Sequence, residues 1–301
     1  MKNKHVAENA LVGGMIISMF LWGLSWPSGK VLTHYSSAIN FIVYRYIIVV
    51  ATLFPILLLL KTSFRVTKAG VPAIIGSGVL LALYSYFFFK GLKSGSAGAG
   101  GVLVTTLNPI MSYITGIILS KRYPSKNETI GLLLGLIAGS ILLKVWDNAG
   151  AVFDSGNLYF LLASFTWAVM SRLTARSAMY GSSLGFSLWQ YLVTLVCLLP
   201  LMDVHELSLV TRISDNLFWG NLFFSSAIVT TLATTVYFYT TTRLGAEKAS
   251  SFIFLVPLAA AVSSWAFLGE RVLLHTAIGG VLGMAAVYII NKRKRVADAL
   301  K

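Results

Sequence analysis

Apolar segments about 20 residues long, broken only by short polar connectors, run almost from end to end of this chain and leave no stretch for a water-soluble domain. A helix needs roughly that many apolar residues to cross a hydrocarbon core about 30 Å thick. Composition points the same way: of 301 residues, 56% are hydrophobic and 11% charged. A soluble domain carries about a quarter charged residues. Reading apolar runs against connectors predicts spans at roughly 11–32, 38–60, 70–89, 96–119, 127–146, 156–178, 183–202, 216–241, 246–268 and 273–291. The fold class is therefore an all-α membrane protein with ten transmembrane helices.

The formal net charge of +14 also fits a nucleic-acid binder. The basic residues, however, sit in connectors and in the tail Lys292, Arg293, Lys294 and Arg295, where they read as topology signals, so no nucleic-acid partner is expected. Connectors on the side of the termini hold 17 Lys and Arg residues; the opposite connectors hold 5, namely Lys90, Lys93, Lys144, Arg212 and Arg271. Cytoplasmic loops are enriched in positive charge, which predicts both termini in the cytoplasm of a bacterial-type inner membrane. Residues 1–10 then form a cytoplasmic N-terminus and 292–301 a basic cytoplasmic tail. The stretch after Lys2 and Lys4 superficially resembles a signal peptide, but its length and the spans that follow make it an uncleaved first helix. With Cys197 as the only cysteine, neither a disulfide framework nor a thiolate metal site is available.

The second half echoes the first. A shift of 145 residues superposes Phe20, Trp22, Phe41, Tyr46 and Pro55 on Phe165, Trp167, Phe186, Tyr191 and Pro200. A shift of 148 superposes Pro109, Gly131 and Gly135 on Pro257, Gly279 and Gly283, and the slip of 3 falls at helices 3 and 8. The predicted units are residues 11–150 and 151–291. Five spans per unit is an odd number, so the halves lie inverted, a plan that lets a carrier alternate between two states of similar energy around a central site.

Four features interrupt the apolar pattern. Helix 1 carries Trp22, Ser25, Trp26 and Pro27; the proline frees a carbonyl near Gly23, which points either to a broken helix lining a cavity or to a packing kink. Arg45 lies roughly 10 Å into helix 2, where it either holds a substrate carboxylate or snorkels to headgroups. Tyr84 and Tyr239 stand in hydroxyl-rich aromatic runs suited to neutral or zwitterionic solutes. Asn108, deep in helix 4, needs a hydrogen-bond partner, and its neighbour Pro109 is paired with Pro257 as a hinge. With Trp167, the repeat mate of Trp22, the candidate substrate-binding residues are Trp22, Ser25, Trp26, Arg45, Tyr84, Asn108, Trp167 and Tyr239; the hinges are Pro27, Pro109 and Pro257. The glycines of helices 4, 5 and 10 read as close-packing positions, those of 5 and 10 also suiting dimerisation, which leaves a monomer or a homodimer. Acidic residues sit at or beyond the ends of the drawn spans, so tight proton coupling is hard to build. No catalytic constellation, metal cluster or cofactor motif is present in the sequence.

Taken in order, Trp22-Gly23, Trp167-Ala168, Arg45, Pro109, Pro257 and Leu268-Gly269-Glu270-Arg271 resemble the EamA family of the drug/metabolite transporter superfamily over about residues 11–291. The resemblance implies a ten-helix basket with a central cavity, alternating access, and exporters of amino acids and related metabolites among its members. The first half departs from the pattern, since Arg122 stands where Glu270 would be matched. The leading expectation is a secondary transporter, not an enzyme, exporting small organic metabolites such as amino acids, aromatic ones included, without a cofactor. The alternatives are efflux of hydrophobic toxic compounds and a non-transporting membrane scaffold or enzyme subunit.

Overall fold

The computed structural model describes residues 2–121, 123–147, 150, 153–205, 210–244 and 251–292. Ten helices follow one another among them: α1 (Lys2–Leu32), α2 (Ala38–Leu59), α3 (Val71–Ser94), α4 (Ala97–Ser120), α5 (Lys126–Leu142), α6 (Ser155–Ala175), α7 (Ser183–Leu198), the composite α8, α9 (Leu255–Leu268) and α10 (Leu274–Lys292). Seven of them are long and apolar enough to cross a membrane, while α9 and α10 hold shorter apolar stretches. Side chains such as Ile17, Leu59, Leu136, Val196 and Trp265 are exposed on the outside of the bundle, where lipid takes the place of water.

Helix starts follow local chemistry. Ser125 and Glu128 form a capping box at α5, each satisfying a backbone N–H that the helix leaves free. Glu128 is therefore a cap, although it is buried. α1 begins at Lys2, ahead of the predicted start at residue 11, and runs unbroken through Pro27. α9 begins at Leu255 after a 3₁₀ turn over Ser251–Phe254, which puts Pro257 in the first helical turn and not in mid-helix. A first-turn proline forfeits no intrahelical bond, so the predicted hinge at Pro257 is corrected. The predicted opening of this span, residues 245–250, lies outside the described residues.

α8 is the irregular element. Asn216–Phe223 is α-helical, Phe224–Thr234 is a π-helix, and Thr235–Leu244 returns to α. Thr230 Oγ1 donates to Ser225 O at 2.9 Å and Thr234 Oγ1 to Val229 O at 3.1 Å, each five residues back, as the wider turn requires. A π-turn places more residues in each unit of length, which absorbs the slip of 3 between the repeats at the element where the sequence locates it.

The packing carries a two-fold pattern. α1 lies on α9 and α6 on α4; α3 on α6 and α8 on α1; α3 on α7 and α8 on α2, while α2 meets α7, α4 meets α9 and α5 meets α10. Exchanging each helix for the one five places on leaves those pairings unchanged, as a duplication in two halves dictates. Repeat mates share environments: Phe20 and Phe165 are 50% and 48% exposed, Phe41 and Phe186 fully buried. The α5 and α10 glycines serve contacts inside the chain, with Gly279 against Leu142 and Ala138.

Candidate functional site

A cavity with about 730 Å³ of empty space, open solvent included, lies between the halves and draws its lining from every helix except α5 and α10. Its floor is built on the pseudo-two-fold relation. The repeat mates Trp22 and Trp167 meet edge to face at 5.3 Å, and Tyr46 and Tyr191 stand 6.1 Å apart. Tyr84 packs on Trp167 at 4.7 Å and Trp26 on Phe88 at 4.7 Å, so aromatic faces make most of the wall. Such rings give large apolar contact with defined stacking geometry.

The local backbone explains how α1 reaches this position. Pro27 has no N–H to offer the carbonyl of Gly23, and Ser263 Oγ on α9 donates to that oxygen at 3.2 Å. The freed group is thus satisfied by a neighbouring helix, so α1 stays whole and not broken. Gly23 permits the approach: a Cβ there would stand 2.3 Å from the Ala259 Cβ.

Against the aromatic wall stand a few polar groups, drawn from both halves: Ser25, Arg45, Thr105 and Asn108 from the first, Ser225, Thr230 and Thr234 from the second. Arg45, the only charged residue lining the cavity among those described, reaches across to α8, where its guanidinium donates to Thr230 Oγ1 and to Ser225 O at 3.4 Å. It also lies over the rings of Phe89 at 5.3 Å and Tyr46 at 5.8 Å. The side chain turns inward and does not snorkel to the headgroups. Its neighbours are neutral, which leaves its charge without a counter-ion in the cavity. Ser25 donates to Trp22 O at 2.6 Å, and Trp22 Nε1 to Thr234 Oγ1 at 3.2 Å. Of the nine buried side-chain atoms without a partner among the described residues, two belong to residues that line the cavity: Asn108 Oδ1, an acceptor, and Trp167 Nε1, a donor. Buried polar groups are ordinarily paired, and these two, because they line a cavity, are placed where a ligand or a water can pair with them. Under the repeat shifts Arg45 matches Gln190 and Asn108 matches Val256, so the cavity is symmetric in its aromatic floor and asymmetric in its polar groups.

Residues 10–144 and 154–292 each match the model of the EamA-like transporter family. The chain belongs to that family. As an EamA transporter it is a membrane transporter and not an enzyme. It is 23% identical over 282 residues to an uncharacterized transporter of Bacillus subtilis, YoaV, covering 92% of this chain and 94% of that one. A second Bacillus subtilis transporter, YdfC, is 27% identical over 75% of this chain and 74% of its own. A probable amino-acid metabolite efflux pump of Salmonella typhimurium is 21% identical over 91% of this chain and 92% of its own. A solved crystal structure shares the fold at a TM-score of 0.64 and 16% identity, covering 95% of this chain and 99% of the other.

Of the residues singled out in the sequence, Trp22, Ser25, Trp26, Arg45, Tyr84, Asn108 and Trp167 line this cavity. Tyr239 does not: its ring lies 5.2 Å from the Arg243 guanidinium, and Tyr237, two residues earlier, packs on Trp22 at 4.9 Å instead. Sequence reasoning missed Tyr191, Thr230 and Thr234, which line the cavity, and Tyr237, which packs behind Trp22. The repeat alignment of Tyr46 with Tyr191 was a signal for one of them; the π-helix that presents Thr230 and Thr234 is marked in the sequence only by the slip of 3 between the repeats, which does not say which side chains it turns inward.

Proposed function

We propose that this EamA transporter exports small amphipathic metabolites, amino acids and aromatic amino acids foremost, by alternating access through the central cavity. The carrying observation is the cavity's unmatched chemistry. Arg45 lacks a counter-ion, Trp167 Nε1 lacks an acceptor and Asn108 Oδ1 lacks a donor, all beside stackable rings. A carboxylate supplies what Arg45 and Trp167 lack, an ammonium supplies what Asn108 lacks, and a flat or apolar side chain fills the aromatic wall. The name of the Salmonella relative agrees with this substrate class. The proposed residence is a bacterial-type inner membrane with both termini in the cytoplasm, supported by the imbalance of 17 basic residues against 5 across the connectors.

The aromatic lining also favours a second reading, efflux of hydrophobic toxic compounds. Reconstitution into liposomes loaded with labelled amino acids, nucleosides or dyes separates the two. Efflux of amino acids that exceeds that of neutral dyes upholds the first reading; efflux confined to dyes replaces it with the second.

A further inference from the structure

The motif that closes α9 takes no part in the cavity. Gly269 holds a φ of +65°, a conformation glycine adopts without steric cost, and its N–H donates to Trp265 O at 3.1 Å. That turn carries Glu270 back over the first turn of α4. Its carboxylate accepts hydrogen bonds from Ser96 Oγ at 2.6 Å, Gly98 N at 2.8 Å and Ala97 N at 3.0 Å. The backbone donors are ones the helix leaves free, at an end whose partial positive charge favours an anion. Across the same α3–α4 turn, Lys30 of α1 donates from Nζ to Leu92 O at 2.6 Å and Gly95 O at 2.7 Å, carbonyls at the C-terminus of α3. A cation thus holds the end of one helix and an anion the start of the next, and the two come from opposite halves of the chain.

The duplication supplies no equivalent at the end of the bundle that carries the termini. Under the shift of 148, Glu270 matches Arg122 and Ser96 matches Leu244; under the shift of 145, Lys30 matches Ala175. Arg122 lies outside the described residues; as a side-chain type, a guanidinium has no acceptor to offer helix N–H groups. Other ties are present at both ends at once. Thr67 N donates to Tyr180 O at 2.8 Å at the terminus-bearing end, and the Tyr35 hydroxyl donates to the Asp215 carboxylate at 2.5 Å at the far end. With the Leu217 N–H, that hydroxyl holds the Asp215 carboxyl below its usual range. Ties made at both ends together cannot favour one direction of opening. At the terminus-bearing end the Arg172 guanidinium of α6 donates to Ser112 O at 2.9 Å, a carbonyl within α4; among the described residues the carboxylate cap of Glu270 and the Lys30 bonds to helix-end carbonyls are made at the far end only.

We propose that Glu270 and Lys30 form a one-sided latch that closes the far end of the pathway and biases the empty carrier toward the state open on the side of the termini. This rests on the alternating-access reading above. An inverted duplication makes its two states nearly equal in energy, and a tie available in one state alone breaks that equality. With cytoplasmic termini, the empty site then waits on the cytoplasmic side, where an exporter loads.

The test places a reporter cysteine in the cavity, Leu81→Cys in a Cys197→Ser background, and measures its labelling by a membrane-impermeant maleimide added to either face of oriented liposomes. Lys68→Cys and Arg212→Cys, made separately, identify the faces. Glu270→Gln and Lys30→Met should each raise labelling from the Arg212 face by about tenfold, the shift one charge-assisted hydrogen bond can hold. Arg122→Glu leaves the latch intact and offers a carboxylate to the opposite end; it should raise labelling from the same face, and it keeps the test decisive if Glu270→Gln fails to fold. Unchanged labelling in folded variants, or an equal rise from both faces, overturns the latch. Exchange of labelled phenylalanine by the parent carrier, run in parallel, keeps the two ideas apart. Absent exchange with latch-dependent labelling overturns the transport reading alone, and normal exchange with indifferent labelling overturns the latch alone.

Discussion

Replacing Arg45 with Met removes the cation of the cavity while keeping an unbranched side chain to fill its place. A hydrogen bond to a charged group contributes about 1.5–3 kcal/mol, and because Arg45 is only half-buried, screening puts the lower part of that range in force. At about 1.4 kcal/mol per factor of 10, a carboxylate-bearing solute should bind roughly tenfold more weakly. The fold should lose little, on the order of 1 kcal/mol, since Thr230 keeps its bond to Ser225 O at 2.9 Å when the guanidinium leaves. The assay compares half-saturating concentrations for exchange of phenylalanine and phenylalanine amide in liposomes. The amide retains ring and ammonium but carries no carboxylate, so the variant should discriminate: about tenfold weaker for the acid and within about twofold for the amide. Equal losses for both solutes would mean that Arg45 shapes the cavity without reading charge, and the recognition argument would fall.

Asn108→Leu should raise stability, because it deletes a buried acceptor that has no partner, while weakening ammonium-bearing solutes. A melting temperature that falls, or affinity that does not, contradicts the role given to that amide. Gly23→Val should cost about 1–3 kcal/mol in overpacking, because its Cβ would stand 2.3 Å from the Ala259 Cβ. Gly13→Val, where a Cβ meets nothing within 4 Å, is the control, and thermal unfolding in detergent reads both. Ser263→Ala should cost about 1 kcal/mol by stranding the Gly23 carbonyl, and much less in a Pro27→Ala background, where residue 27 regains its N–H. Additive effects in that double cycle would show that Ser263 is not the partner Pro27 requires.

Several parts of the site were readable because they are costly in hydrocarbon. A guanidinium, an amide and paired tryptophans carry polar groups that are costly to bury inside spans, so Arg45, Asn108, Trp22 and Trp167 stood out against their neighbours, and all four line the cavity. Tyr239 failed for a definite reason. Tyr237 and Tyr239 sit in one run of similar residues, and which of them faces inward depends on the rotation of α8, which the π-helical segment over Phe224–Thr234 resets. Pro257 failed because the predicted span opens at residue 246 and takes in Glu247, Lys248, Ser250 and Ser251, whereas α9 begins at Leu255 and the proline falls in its first turn.

Span number, span order and the two related halves follow from the sequence alone. They depend on hydrophobic length and on rare residues recurring at a constant interval, both of which are properties of the chain read locally. Which side chains meet was decided only in three dimensions. The Trp22–Trp167 contact, the reach of Arg45 to Thr230 and the closure of Glu270 on α4 depend on helix rotation and on where the axis between the halves falls. Those are set by packing among all ten helices at once, and lipid, as apolar as the side chains it meets, does not dictate them.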